Sequence, residues 1–306
     1  MWTMQTNLYI DDIDVYALYG VSIVSGSIAD IVAFPPLKEV DVIDWYEEDG
    51  VEADLSAPQL DGREIELSFI VENDYGMQAL IAILTEAVYH DFYFKNIEQT
   101  YKLRLLSQSQ LKTYGSATLF TLKFSDDNPD RSYSNSVWQP NNSIVTGYSL
   151  AGRDFGQYNI TILSETVAEI LKCPDVKSNI VRDYKYISGI GYEAKTVKYS
   201  SKEVSLKCLM IASNLEYFWS SYDALLTVLK SSGEKVLQVD TGIYVDMSCY
   251  YSKCATSYLS LANEIVWAFT LTFSVTAFHP NEYDVLLASE DGNIIISEDS
   301  YAIDLL

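Results

Sequence analysis

The chain has 306 residues, 43 acids against 20 Lys and Arg, a formal net charge of −23 and 48% apolar residues. That apolar content supplies a sizeable core and excludes a disordered chain. The acid excess argues against tight binding of free nucleic acid, because affinity for phosphate comes from Lys and Arg. The length predicts about two domains of roughly 150 residues each. The charge is uneven: residues 1–130 carry 23 acids and 7 bases, a net of −16, which leaves −7 for the rest.

The N-terminus, MWTMQTNLYIDD, lacks a basic segment followed by an apolar one, so no secretion signal is expected. The longest apolar run near a helix, residues 79–84, is far short of a membrane span. A soluble, intracellular product is expected.

Residues 1–18 form a leader ending in IDDIDVYALY. Residues 19–38, YGVSIVSGSIADIVAFPPLK, then recur 139 positions on as YNITILSETVAEILKCPDVK at 158–177. The spacing holds without a gap to REIELSFIV at 63–71, which meets KEVSLKCLM at 202–210. Two copies are too few for a solenoid and predict one module, duplicated and fused. Residues 20–24 are β-branched and predict a strand. Residues 27–34 predict another strand or a short helical turn. Pro35 and Pro36 end it, because proline lacks a donor and restricts the residue before it; Pro174 keeps this stop.

Residues 39–54 contain Glu39, Asp41, Asp44, Glu47, Glu48, Asp49, Glu52 and Asp54 and no base. The plain reading is a solvated hairpin or loop; the functional one is a repulsive surface or a partner-docking arm. Calcium ligation fits poorly, since the DxDxDG order is missing. Gly50 recurs as Gly189, which predicts a turn belonging to the framework.

After the Asp61-Gly62 turn, Ile65, Leu67, Phe69 and Val71 alternate with Glu64, Glu66 and Ser68, the pattern of a half-buried strand. Val204, Leu206, Cys208 and Met210 repeat it. Residues 77–88 place Met77, Leu80, Ile81, Leu84 and Val88 on one helical stripe, answered by Tyr222, Leu225, Leu226 and Leu229 after a six-residue insertion. Strands follow at 90–94 and 101–106, answered by 236–239 and 243–251. Each module closes on a strand: Thr118, Phe120, Leu122 and Phe124 alternate inward, and WAFTLTF stands at 267–273.

The order strands, helix, strands argues against βαβ winding. It predicts an α+β fold, mainly β, in two tandem sandwich or barrel modules with one packed helix each. The expected organisation is module 1 at 1–128, a linker at 129–152, module 2 at 153–280 and a C-terminal hairpin tail at 281–306. Asp291-Gly292 sets the turn of that hairpin. Alone it would be marginal in water, so it is expected to pack on the body or on a partner.

Cys173 and Cys208 occupy the positions of Phe34 and Phe69, so both are expected to be buried thiols that pack as small hydrophobes. Cys249 and Cys254 are spaced CxxxxC with no second pair to complete a zinc site; a disulfide between them stays open. His90 and His279 lie neither in HExxH nor beside a nucleophile. Gly189-Ile-Gly191 lacks the remaining glycine of a dinucleotide loop, and no P-loop occurs. With 43 acids, carboxylate pairs arise by chance and point to no glycosidase. No catalytic, cofactor-binding or metal-binding residue is assigned. The 24 Tyr would stack on sugars or fill interfaces if exposed, but Tyr101, Tyr222 and Tyr244 fall on predicted cores.

A YGV-type opening strand, a Pro stop, a long acidic hairpin, an alternating strand after a DG turn, one helix and a closing FTLKF strand together resemble the tube-forming module of phage tails. The nearest resemblance is to distal tail proteins of siphophages, and the duplication resembles the baseplate hub of contractile-tailed phages. It covers about residues 13–128 and 153–280. One departure stands out: distal tail proteins usually carry a carbohydrate-binding-like second domain, whereas here the second half is another copy of the first.

The resemblance implies a structural, non-enzymatic role in a phage or prophage-derived tail tip or baseplate, in the virion tail, made in the bacterial host cytoplasm. Such modules form rings around a DNA channel. Three chains would give a pseudo-sixfold ring, with six chains as the alternative. The implied partners are other copies and neighbouring tail or baseplate proteins; DNA passes without specific binding, and neither membrane nor cofactor is implied. The acidic residues of 39–54 would then lie at the channel or at a ring-to-ring contact, where carboxylates repel phosphate. Two other readings are a glycan-binding surface module using Tyr and Trp, and an acidic hydrolase.

Overall fold

The computed structural model describes residues 7–129 and 144–277, apart from 25, 73, 116, 179, 184, 194–196, 242 and 243. The first half runs β1 (Leu8–Ile10), β2 (Ile13–Asp14), α1 (Val15–Tyr19), β3 (Val21–Ile23), α2 (Ala29–Val32), β4 (Val42–Ile43), β5 (Glu52–Ala53), β6 (Arg63–Val71), α3 (Asp74–Leu84), β7 (His90–Phe94), β8 (Gln99–Tyr114) and β9 (Ala117–Asp126). The second runs β10 (Tyr148–Leu150), β11 (Arg153–Asp154), a 3-10 turn at Phe155–Tyr158, β12 (Ile160–Ile162), α4 (Thr166–Leu171), β13 (Ile180–Asp183), β14 (Ile190–Glu193), β15 (Lys202–Ala212), α5 (Leu215–Leu229), β16 (Lys235–Asp240), β17 (Tyr244–Leu261) and β18 (Ile265–Ala277).

The fold is mainly β, built on large antiparallel sheets. One seven-stranded sheet has the order β2-β1-β7-β8-β9-β6-β3, the other β11-β10-β16-β17-β18-β15-β12. Taken in chain order, the strands fill the same places in both. Two short hairpins, β4-β5 and β13-β14, stand apart from the sheets.

Alternation makes the central strands. Ile65, Leu67, Phe69 and Val71 of β6 are buried while Glu64 and Glu66 face water. Val204, Leu206, Cys208 and Met210 of β15 do the same. Thr118, Phe120, Leu122 and Phe124 of β9 are all buried, as are Trp267, Phe269, Leu271 and Phe273 of β18. Helix α5 is capped by Asn214, whose side chain accepts from the Tyr217 N–H at 2.9 Å. It buries Phe218, Tyr222, Leu225, Leu226 and Leu229. A contiguous apolar cluster joins both halves.

Three expectations change. Helix α3 stops at Leu84, and Val88, expected on its stripe, is exposed. The Thr85 and Glu86 amides bond to Ala82 and Ile83, three residues back, which tightens the chain before β7 opens at His90. Strands β8 and β17 run well past the expected ends at 106 and 251. The distal part of β8, QSQLKTY, is exposed throughout, so neither face imposes alternation and the sequence shows no strand pattern there. Finally, residues 129–152, read as a linker, supply β10, which pairs with β16. The C-terminal hairpin expected at 281–306 lies outside the described residues, as does His279.

The Trp267 ring stacks on Phe269 at 3.8 Å and is fully buried. Trp267→Ala is expected to cost about 3–5 kcal/mol, seen as a lower urea midpoint; a loss under about 1 kcal/mol would contradict this packing.

Candidate interaction surface

The first-half segment running from α2 through the β4-β5 hairpin acts as an arm that leaves its own sheet and lies on the second half. Phe34 carries it. Its ring stacks on Tyr222 of α5 at 4.3 Å and meets Trp267 and Phe269 of β18 at 5.2 and 6.0 Å. The Tyr251 hydroxyl donates to the carbonyls of Phe34 and Pro35 at 3.1 and 3.0 Å. Leu37 N–H bonds to the Ser252 carbonyl at 3.0 Å. Proline supplies the geometry: Pro35 and Pro36 prevent helix α2 from continuing and turn the chain outward.

Farther along, a buried lysine grips the hairpin. Lys177 Nζ donates to the carbonyls of Trp45 and Gly50 at 2.8 and 2.7 Å and to the Asp44 carboxylate. The Gly50 amide bonds to the Tyr199 carbonyl, and Val51 to that of Thr276, each at 2.8 Å. Asp49 returns the contact, accepting from the Tyr199 amide at 2.8 Å and pairing with Lys198 at 3.3 Å. Gly50 has φ +74°, and a Cβ there would lie 1.7 Å from the Thr276 carbonyl oxygen, so only glycine fits.

Both halves hold the base of their arms alike. Arg63, at the start of β6, donates to the carbonyls of Ile31, at 3.1 Å, and Ala33, and pairs with Asp126 at 3.1 Å. Lys202, 139 positions on, donates to the carbonyls of Ile170 and Lys172 at 2.6 and 2.8 Å. Burial lowers the Lys202 ammonium to about 8.

The eight acids of 39–54 divide between two roles. Asp44 and Asp49 contact the second half, and Glu52 accepts from the Trp45 indole at 3.2 Å. Glu39, Asp41, Glu47, Glu48, Glu52 and Asp54 are exposed. The hairpin is thus solvated on one side and seated on the other.

The cysteine expectation holds for one residue of two. Cys208 is buried, but Cys173 is exposed. Phe34 is covered because the second half lies over it, whereas nothing among the described residues takes that place for Cys173. The structure records Cys249 and Cys254 as free thiols. Burial pushes both up to about 12 and Cys208 well above the usual thiol range, so none offers a thiolate at neutral pH. His90 is buried and its Nδ1 meets Asp11 Oδ2, which ties β7 to the β1-β2 turn. Among the described residues no group of three or more His, Cys, Asp or Glu is placed to hold a metal, and no helix is long and apolar enough to cross a membrane.

Tyr101 and Tyr222 are buried, as expected; the side chain of Tyr244 lies outside the described set. Tyr46 and Tyr186, in the two hairpin turns, and Tyr75, on α3, are exposed, as are Tyr114 and Tyr258, which line one cleft. A cleft of about 1060 Å³ between Ser22, Ile28, Ile70 and Leu119 of the first half and Tyr258 and Leu259 of the second has few titratable groups in its wall.

The parts that sequence reading missed are Lys177, Lys198 and Tyr199. Their signal was the lysine ending both repeats, PPLK and PDVK, which keeps Lys38 and Lys177 in register.

No family model matches the chain, and no curated protein matches it. Among solved structures, the chain is similar to the Dit (gp 19.1) protein of phage SPP1, described as a paradigm of the hub adsorption apparatus in Gram-positive infecting phages. The identity is 11%, the match covers 88% of this chain and 97% of that one, and the TM-score is 0.29.

Lys177→Met would remove the lysine donor from the Gly50 carbonyl and leave the Trp45 carbonyl only the Glu48 amide at 3.4 Å. It is expected to cost about 1–3 kcal/mol and to speed hydrogen exchange at the Gly50 and Val51 amides; unchanged exchange there would contradict the grip. Lys202 gives a second expectation. Its folded pKa lies below its ordinary 10.5, so the native state binds fewer protons between about 8 and 10.5, and stability rises with pH through that window. The stability of wild type minus that of Lys202→Met should therefore rise from pH 8 to 10.5; a constant difference would contradict the desolvation of the half-buried Lys202 ammonium.

Proposed function

We propose that this chain is a structural component of a phage or prophage-derived tail tip or baseplate, forming a ring around the DNA channel and docking neighbouring tail proteins. In this reading 1–128 and 153–280 are two fused copies of one tube-like module, joined through 129–152, with 281–306 as a tail. The first strand of the second copy is drawn from the joining stretch. The observation that carries the reading is the seated arm: one half reaches over to complete the core of a second half whose sheet has the same strand order. A contact of that kind joins unlike surfaces, and repeated between chains it generates rings when the rotation closes. Three chains then give six modules; six chains are the alternative. Fusion makes half of these contacts intramolecular, which raises their effective concentration.

The proposed role is mechanical rather than catalytic. The exposed acids Glu39, Asp41, Glu47, Glu48, Glu52 and Asp54 would face the channel or the next ring, where they repel phosphate and keep DNA from sticking. Asp44 and Asp49 already have partners in the second half, so the test of the acidic surface is confined to Glu47 and Glu48.

Native mass spectrometry at micromolar concentration should find three chains per particle. A strict monomer at high micromolar concentration contradicts the ring. In a phage carrying the gene, Glu47→Lys with Glu48→Lys should lower DNA delivery while particles still assemble; unchanged infectivity removes the channel or inter-ring role. A glycan array that captures the isolated chain as a monomer would favour the sugar-binding reading instead.

A further inference from the structure

The contact between arm and sheet occurs once within the chain, yet its components occur twice. Residues 27–54 of the first arm correspond to 166–193, 139 positions on. The isolated bridge Leu37–Leu60 has its match in Val176–Tyr199, and the Lys38 amide bond to Gln59 has its match in Lys177 to Lys198. The acceptor sheet is doubled as well. A register shift between Leu105 and Ser107 in β8 answers that between Tyr251 and Lys253 in β17, and places Leu106 where Ser252 receives the first arm.

The second set of surfaces is open. On the second arm Leu171, Val176 and Ile190 are 45%, 52% and 66% exposed. On the first sheet Leu106 and Leu111 are 39% and 55% exposed. The charged grip is doubled too. Lys177 corresponds to Lys38 and Asp44 to Asp183, and both Lys38 and Asp183 are exposed. Gly50 corresponds to Gly189, which keeps positive φ at +99° although nothing lies within 4 Å of a Cβ built there. The second arm therefore has the turn, the carboxylate and the apolar residues that the first arm uses, on a surface that no described residue covers.

We propose that the arm at 166–193 of one copy docks on the β8-β9 sheet of a second copy of this chain, with Lys38 of that copy pairing with Asp183 as Lys177 pairs with Asp44. Val176 would bond at Leu106 as Leu37 does at Ser252, and Cys173 would take the place of Phe34 against a smaller set of neighbours. A second copy is favoured over an unrelated partner because the lysine–aspartate pair, the turn glycine and the isolated bridge all recur at matching positions of a contact the chain already makes, while the Asp49–Lys198 pair has Ser188 and Gln59 in its place. The proposal deepens the ring reading above and rests on it.

The test uses the full chain in analytical ultracentrifugation, with circular dichroism melting as the control for folding. Lys38→Asp and Asp183→Lys, each alone, are expected to weaken self-association about tenfold or more with melting unchanged. The two combined in one chain restore an opposite pair at every contact and should recover association. Leu106→Asp serves as a second variant that breaks the apolar part and is not rescued by the swap. If the wild type associates and both single charge variants associate equally well, this interface is overturned while the ring reading stands. If the wild type stays a single chain, both fall.

Discussion

Phe34 leaves its own half of the chain and finishes the aromatic core of the other. Burying such a side chain contributes about 1.5–3 kcal/mol, and its stacking on Tyr222 about 0.5–1.5 kcal/mol more. Around this ring the other contacts fall into place: Tyr251 satisfies the carbonyls at Phe34 and Pro35, and Lys177 satisfies those at Trp45 and Gly50. The arm is a long excursion whose hairpin pairs only two residues on each side and leaves Val42, Ile43, Trp45 and Tyr46 exposed. Without the second half beneath it, it could not offset its ordering entropy.

Covalent connection explains how a modest contact holds. The two halves share one chain, so the arm finds its sheet without the translational cost of association. The same contact made between chains has to overcome that cost. This bears on the unequal arms: the first, held within the chain, carries many acids and a bulky anchor in Phe34, while the second has Cys173 there and a mixed-charge hairpin with Arg182 and Lys185.

Much of the sheet framework was legible in the sequence because burial on one face imposes alternation. β6, β9, β15 and β18 were readable residue by residue, and the repeat at 139 placed Gly189 and Lys177 opposite Gly50 and Lys38. Legibility failed where burial is not local. The outer half of β8 is bare on both sides, so its polar run carries no alternation that would extend the strand past 106. Val88 had the right spacing for α3, but the helix had already ended. Cys173 was read as buried from its match to Phe34, and that inference assumed equal surroundings. Phe34 is buried by another part of the chain, so its burial is a property of the contact and does not transfer to its counterpart. For the same reason the division of the acidic stretch into gripped and solvated carboxylates left no mark in the sequence.

The proposed ring requires that copies of this chain close around a hole. Electron microscopy of the purified full-length chain, averaged in projection down the particle axis, tests it most directly. A ring of six similar lobes with an open centre is the predicted image; compact particles the size of one chain, with no hole, would contradict it.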